Sequence, residues 1–471
     1  MAFEIFETMH FRLPMRTLAL LAAAVCGLPA ADFRVGAAAV KITPPMGAPM
    51  SGYYYNRAAD GVHDDLFAKA LVFEQDGAKA AVVACDLSGV PHPIVEQARQ
   101  AIEQKTGISG ARVMISATHT HTGPVLLSGA TRYNLEGEML AIGKKYAADL
   151  PQLIAESVEK ANAALAPARI SAAKGREESL TFNRRFHMKD GSVGWNPGKL
   201  NPNIVRPAGP IDPDVPVVYF DSPDGKPIAT YVNYALHLDT VGGLEYSADY
   251  PYTLGRQLSA VKGPGMLTLF TIGCAGNLNH IDVTTREPQK GHGEAARIGT
   301  VLAGEVLKTF KRLEHLPTAA PKVRSETVLL PLPAFEPREL EWAKKITPLF
   351  GKPNAAPFLD FVKAFRVTDT AARDGKPREA EVQVIALGND LAFVGLPGEI
   401  FTELGVAIKY ASPYRYTVVA ELANGSVGYV PNRKAYPEGA YEVVSARCAE
   451  GSGEMLVQSA TKLLVSLRAE K

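Results

Sequence analysis

Residues 111–124, ARVMISATHTHTGP, decide how this chain is read. The run from Ala111 to Ile115 has the apolar, β-branched character of a buried strand, and Gly123-Pro124 closes the segment as a turn. His119 and His121 therefore fall where a strand gives way to a loop, the position at which α/β proteins commonly keep their chemistry. In extended backbone, residues two apart share a side, so both imidazoles are expected to face one pocket. Small Ser116 and Ala117 leave room, and Thr118, Thr120 and Thr122 supply hydroxyls able to fix a ring tautomer. Imidazole is the usual zinc ligand, so one reading is a metal or catalytic site; the other is two ordinary hydrogen-bonded loop histidines.

Just upstream, residues 79–87, KAAVVACDL, predict a strand ending at Asp86, and residues 93–105 predict a helix. Strand, helix and strand in that order form a βαβ unit. Asp86 is either a carboxylate supporting the histidines or a loop cap. Residues 35–53 read as a strand running into a Pro/Gly-rich loop, and residues 61–74 as His63, Asp64 and Asp65 followed by another strand. Strands are also expected near residues 169–174, 217–220, 228–236, 266–272, 323–332 and 415–422. Helical periodicity marks residues 138–164, 292–312 and 454–467. Residues 181–206 read as loop, and their Arg184-Arg185 pair as solvated surface. Residues 380–399 predict a hairpin through Gly388-Asn389-Asp390, with a helix starting at Glu399. The fold class is α/β: mixed β-sheets layered with helices, with a metal site at the C-terminal ends of strands.

Composition narrows the function. The 471 residues are 46% hydrophobic, enough for a large core. Lys+Arg 50 against Asp+Glu 49 leaves no basic surplus for nucleic acid. Arg12 and Arg16 precede a short apolar run at residues 17–25, with small residues after it. This pattern predicts a signal peptide over residues 1–31, cleaved near Ala30 or Ala31, and a periplasmic or secreted protein without a later membrane span. Cys85, Cys274 and Cys448 have no metal or disulfide spacing and read as buried small hydrophobes.

Three candidate ligands end three predicted strands: His119, His237 after NYAL, and Glu399 in LPGE. Two His and a carboxylate form a known catalytic zinc set with a position open for water. Residues 266–282 add Gly273, Gly276, Asn277, Asn279, His280 and Asp282. Their glycines serve either close approach of backbone to a ligand or a tight turn.

These stretches resemble the neutral/alkaline, non-lysosomal ceramidase family, from GAAAVKITPPMG to the end of the chain. HTHTGP at 119–124 is similar to the family's HTHSGP block. The resemblance implies Zn2+ held by His119, His237, Glu399 and the tyrosine of GYVPN, Tyr429. It also implies active-site roles for His121, for Tyr441, and for Arg184 of FNRR beside the scissile amide. Asn279 stands where the family's Gly-Asp-x-Ser-Pro block has its serine, and Asn277 where it has the aspartate. The expected domains are the signal peptide, 1–31, and a ceramidase-like hydrolase domain, 32–471, without the family's carboxy-terminal immunoglobulin-like domain. The expected activity is hydrolysis of an N-acyl linkage, N-acylsphingosine or a related N-acyl compound, by zinc-activated water. The alternatives are an ester or non-lipid N-acyl substrate, or an inactive metal-stabilised binding protein.

Overall fold

The computed structural model describes residues 33–127, 135–350 and 355–470. The expected signal peptide lies outside the described residues. Three larger sheets carry the fold. The first orders its strands Val113–Ala117, Ala78–Cys85, Phe67–Gln75, Arg34–Lys41 and Ala166–Pro167. The second runs Leu267–Ile272, Pro227–Tyr234, Asp214–Asp221, Arg169–Arg176 and Glu314–Leu316. The third runs Lys322–Leu330, Arg378–Leu387, Leu391–Gly395 and Tyr416–Ala420.

Each sheet is antiparallel except for one parallel pair at an edge. A parallel pair needs a crossover, and here each crossover contains one helix: His92–Thr106, Tyr250–Lys262 and Thr402–Ala411. The first helix shows the local logic. Pro93 opens it where a missing N–H costs nothing, and Gly107 closes it in the left-handed region at φ 70°.

Alternation along the strands splits the core into layers. In the first sheet, Val35, Leu71, Phe73 and Val82 face a shared centre, while Ala70, Val72, Val83 and Ile115 face helices His92–Thr106 and Gly137–Ala163. The centre takes side chains from all three sheets. Phe73 stacks on Phe393 at 6.1 Å and meets Phe220 at 5.5 Å, and Tyr231 meets Phe393 at 4.8 Å. The outer faces of the second and third sheets are covered by their own helices. Among the described residues no helix is long and apolar enough to cross a membrane. Cys85, Cys274 and Cys448 are buried and unpaired, as expected.

Two expectations are corrected. Residues 181–206 are not loop throughout: Arg185–Met188, Val193–Trp195 and Ile204–Pro207 form a small ribbon, and Phe182–Asn183 pairs with Leu278–Asn279. Strands this short carry too few alternations to register as a pattern. Glu399 does not open a helix. Glu399–Ile400 is a short strand parallel to Tyr429–Val430, and the helix begins at Thr402.

Candidate metal centre

The three parallel pairs end near one another, and their extensions are stitched together by backbone. Ala117 N–H donates to Leu422 O at 3.1 Å, Asn424 N–H to Ile115 O at 2.7 Å, and Glu421 N–H to Ile272 O at 3.2 Å. Residues just past the ends of different sheets thereby meet, which no single sheet could arrange.

His119 comes from the first sheet. Its backbone has φ 77°, a left-handed conformation that costs a non-glycine residue about 1–3 kcal/mol and is held only where surroundings over-determine it. Its N–H donates to Leu87 O at 2.8 Å, and its Nδ1 donates to Ser88 O at 2.7 Å. With that proton on Nδ1, Nε2 is the ring nitrogen turned toward His237 and His121. The tautomer is therefore fixed by the Ser88 carbonyl and not by the neighbouring threonines. Thr120 and Thr122 project to the other side and donate to Ser247 O at 2.6 and 2.9 Å. Asp86 does not support the rings either; its Oδ2 accepts from Phe67 N–H at 2.9 Å and lies 3.5 Å from Lys69.

His237 comes from the second sheet, with its Nε2 3.0 Å from that of His119. The loop after it is folded by Asp249, which accepts from the N–H groups of Thr240 and Val241, each at 3.0 Å. His121 N–H donates to Leu238 O at 3.1 Å, and its Nε2 lies 3.4 Å from His119 Nε2. Both imidazoles of the HTHTGP stretch do face one pocket. Burial, with His119 and Arg184 nearby, pushes His121 and His237 well below the usual histidine range, so both rings are neutral.

The third sheet supplies Glu399 and Tyr429, paired across their two short strands. Glu399 Oε2 lies 3.4 Å from His119 Nε2 and has no hydrogen-bond partner of its own. Burial would raise the Glu399 carboxyl, but His119, Tyr429 and Arg184 outweigh it and hold it below the usual value. Tyr429 is raised, by burial first and then by Glu399, and stays a neutral phenol.

Gly276 explains how Glu399 fits. A Cβ at position 276 would stand 2.5 Å from the Glu399 carbonyl oxygen, so only glycine allows this approach. The glycine serves contact between chain segments rather than with a ligand. Gly276→Ala should displace the Glu399 strand, cost about 1–3 kcal/mol of stability and weaken metal retention. Thermal unfolding and metal titration check this; unchanged values in both would refute it.

The arrangement could hold a metal ion, and its spacing is compatible with zinc. Zn–N bonds of about 2.0–2.1 Å imply ligand atoms about 3.3 Å apart in a tetrahedron. From His119 Nε2, imidazole nitrogens at 3.0 and 3.4 Å and a carboxylate oxygen at 3.4 Å are close to that spacing. His119, His121 and His237 form one group of potential ligands, so distance alone does not separate His121 from the other two. The other such group among the described residues, His92, Glu96 and Glu381, is already held by Arg99, at 3.2 Å to Glu96 and 2.8 Å to Glu381. His280 and Asp282 form no such group. His280 faces Asp239 at 3.5 Å, while Asp282 accepts from Thr284.

Arg184 and Arg185 are not solvated surface; they are 4% and 2% exposed. Both pair with Glu442, which is fully buried: Arg184 Nε at 2.8 Å and Arg185 at 3.0 Å. Arg184 also donates to Gly276 O at 2.7 Å and to the Tyr429 hydroxyl at 3.1 Å. Tyr441 meets the Tyr429 ring at 5.4 Å and places its hydroxyl 3.5 Å from that of Tyr54. Trp195 and Phe358 flank Tyr441 at 4.5 and 5.8 Å, giving the centre an aromatic wall.

Asn279 is buried one strand away from Arg184. Its amide donates to Asn196 at 2.9 Å and accepts from Ile281 N–H at 3.1 Å, so its hydrogen bonds do not go to the imidazoles. Asn277 holds the third sheet's helix instead, accepting from Thr402 N–H at 2.9 Å.

Sequence reading missed Gly52, Tyr53, Arg57, Trp195 and Glu442. A Cβ on Gly52 would stand 2.6 Å from the His121 Cβ, Arg57 donates to His121 O at 2.8 Å, and Tyr53 meets the His121 ring edge-on at 5.7 Å. The one available signal was the Pro/Gly-rich character of residues 44–52, which marks close packing but not its partner.

Fold and site together define an α/β protein with a buried centre of histidines, a carboxylate and a tyrosine, drawn from three sheets. Residues 33–237 match the family described as neutral/alkaline non-lysosomal ceramidase, N-terminal. The neutral ceramidase of Pseudomonas aeruginosa is 29% identical over 172 residues, 35% of this chain and 24% of that protein. The neutral ceramidase of Mycobacterium tuberculosis is 29% identical over 217 residues, 41% of this chain and 33% of that protein. The matched stretches thus span a third or less of these two curated relatives. The crystal structure of the Pseudomonas aeruginosa neutral ceramidase superimposes with a TM-score of 0.74 at 21% identity, covering 93% of this chain and 75% of that one. Over residues 33–237 the chain is thus similar to the N-terminal part of the neutral/alkaline non-lysosomal ceramidases, and its fold is similar to theirs.

Proposed function

We propose that this protein is an exported, zinc-dependent hydrolase that cleaves an N-acyl linkage, as ceramidases do. The observation that carries the reading is the convergence of His119, His237, Glu399 and Tyr429 from three sheets, with His121 and Arg184 beside them. The first four residues would hold the ion. Bound zinc supplies a water made acidic enough to ionise near neutral pH and polarises a substrate carbonyl.

The chain's own residues supply the rest. His121, a half-buried imidazole anchored through Arg57 and Gly52, would take a proton and return it to the leaving nitrogen. Arg184 stays charged because Tyr429 and Glu442 outweigh its burial, and with Tyr441 it stabilises the charge that develops on the carbonyl oxygen. Trp195, Phe358 and Tyr441 exclude water from one side and offer an apolar face to the substrate.

Asn279 favours a second reading, in which the same chemistry acts on an ester or a non-lipid N-acyl compound. In the resemblance a serine hydroxyl stands there; here a carboxamide is tied to Asn196 and presents a different donor and acceptor pattern. A substrate head group suited to serine would lose about 1–3 kcal/mol if one buried polar group went unpaired.

The test joins metal analysis to a hydrolysis screen across N-acyl sphingoids, N-acyl amino acids and simple esters. About one equivalent of zinc and hydrolysis of at least one amide class are expected. Asn279→Ser should raise ceramide turnover relative to the preferred substrate. A protein that holds zinc and hydrolyses nothing would be a binding protein, and the proposal would fail. Export rests on the arginine-flanked apolar run; intact mass from the native host should lack the first 30 or 31 residues. A soluble cytoplasmic form retaining residues 17–24 would refute it.

A further inference from the structure

A second cavity, of about 470 Å³, lies away from the histidine group, between the first sheet, the second sheet and helix Tyr250–Lys262. Its walls are largely apolar, with Phe67, Pro251, Tyr252, Met266 and Leu267. Its size falls within the range of small-molecule sites. What matters is which polar groups in it are already satisfied.

The two acids are. Asp65 is bound by Lys41 at 2.7 Å and by Thr43 at 2.8 Å, and Asp86 by the Phe67 N–H at 2.9 Å. The donors are not. Thr268, 6% exposed, lines the cavity with a buried hydroxyl that has no partner. Lys69 reaches Asp86 only at 3.5 Å, long for a charge-assisted bond of about 2.7–2.9 Å. At the rim Arg256 lies over the Tyr252 ring, 5.5 Å from its centroid, donates weakly to the Tyr252 hydroxyl at 3.4 Å, and makes no ion pair with an acid among the described residues.

A largely apolar cavity with one unpartnered hydroxyl and two loosely held cations calls for an acceptor on an apolar body. We propose that this cavity is a second binding site, for an amphipathic carboxylate. The carboxylate meets Lys69 and Thr268, or Arg256 at the rim, and the hydrocarbon lies against Phe67, Met266 and Leu267. The site does not depend on the proposed hydrolytic activity. It borders on its machinery, because Asp86 directly precedes Leu87 and Ser88, whose carbonyls hold His119.

The test is calorimetric titration of the full chain with decanoate, decan-1-ol and decyltrimethylammonium. Decanoate should bind saturably and at least about tenfold more tightly than either of the others, the tenfold being about 1.4 kcal/mol. Gly255→Leu fills the cavity from a helix position where an added Cβ makes an ordinary 3.7 Å contact with Thr268, and it should abolish binding. Thr268→Val, nearly isosteric, and Arg256→Glu should each weaken it several-fold, with thermal unfolding confirming that all three variants fold. Equal binding of the three probes overturns the proposal. So does decanoate binding that survives Gly255→Leu, or that is lost instead in Trp195→Ala, which would place the ligand at the histidine centre.

Discussion

His119→Ala is expected to release the metal and abolish hydrolysis together, whereas His121→Ala should abolish hydrolysis and keep most of the metal. His119 is the hub of the centre: its Nε2 lies within 3.4 Å of His237, His121 and Glu399. The left-handed backbone at φ 77° stays strained, because alanine keeps a Cβ, but the N–H bond to Leu87 O that holds it is untouched, so the protein should remain folded while the site opens. Metal content should fall below about a tenth of an equivalent, because His237, Glu399 and Tyr429, the three ligands left, lose the one at their centre and should not retain zinc against a chelator. His121 differs by its anchoring. It is fixed through its backbone by Arg57 and Leu238, and loss of a general acid–base typically costs about 10²–10⁴ in rate. Elemental analysis beside turnover separates the two. Equal metal loss in both variants would make His121 a ligand and reverse the assignment.

Glu442→Ala should destabilise the protein by about 3–5 kcal/mol, the usual effect of breaking a buried ion pair from one side. Two guanidinium groups, Arg184 and Arg185, share that one carboxylate, and all three side chains are at most 4% exposed. Without Glu442, Arg185 keeps Glu438 at 3.1 Å, but Arg184 keeps no carboxylate partner among its hydrogen bonds. Arg184 is then left buried and under-neutralised beside Tyr429. Glu442→Gln keeps the shape and one acceptor, so it should cost less while still lowering turnover through a displaced Arg184. Chemical denaturation of both variants measures this. A loss under about 1 kcal/mol for Glu442→Ala, the range of an exposed pair, would show that Glu442 does not anchor the arginines.

The sequence alone determined the long elements and the candidate ligands. Runs such as residues 79–87 and 228–236 are apolar on both faces because each sheet is buried on both, and that character survives without coordinates. The histidines and Glu399 were legible because they come directly after such runs. In an α/β protein the residues just beyond a buried strand stand where elements end and a site can open.

Only the tertiary structure decided what lies between these points. Arg184-Arg185 reads as surface because a charge pair in a polar stretch normally is. Its burial depends on Glu442, 258 positions away from Arg184, and no local pattern encodes that distance. Adjacent hydroxyls are the local candidates for fixing the His119 tautomer, yet it is set by the carbonyl of Ser88, on the neighbouring strand's extension. Gly276 announces that a chain segment comes close, but not that the segment is Glu399–Ile400. Composition and periodicity report how each residue meets water along its own element. Which elements share the candidate metal centre is settled by how three sheets pack around one aromatic core, and that is a property of contacts remote in sequence.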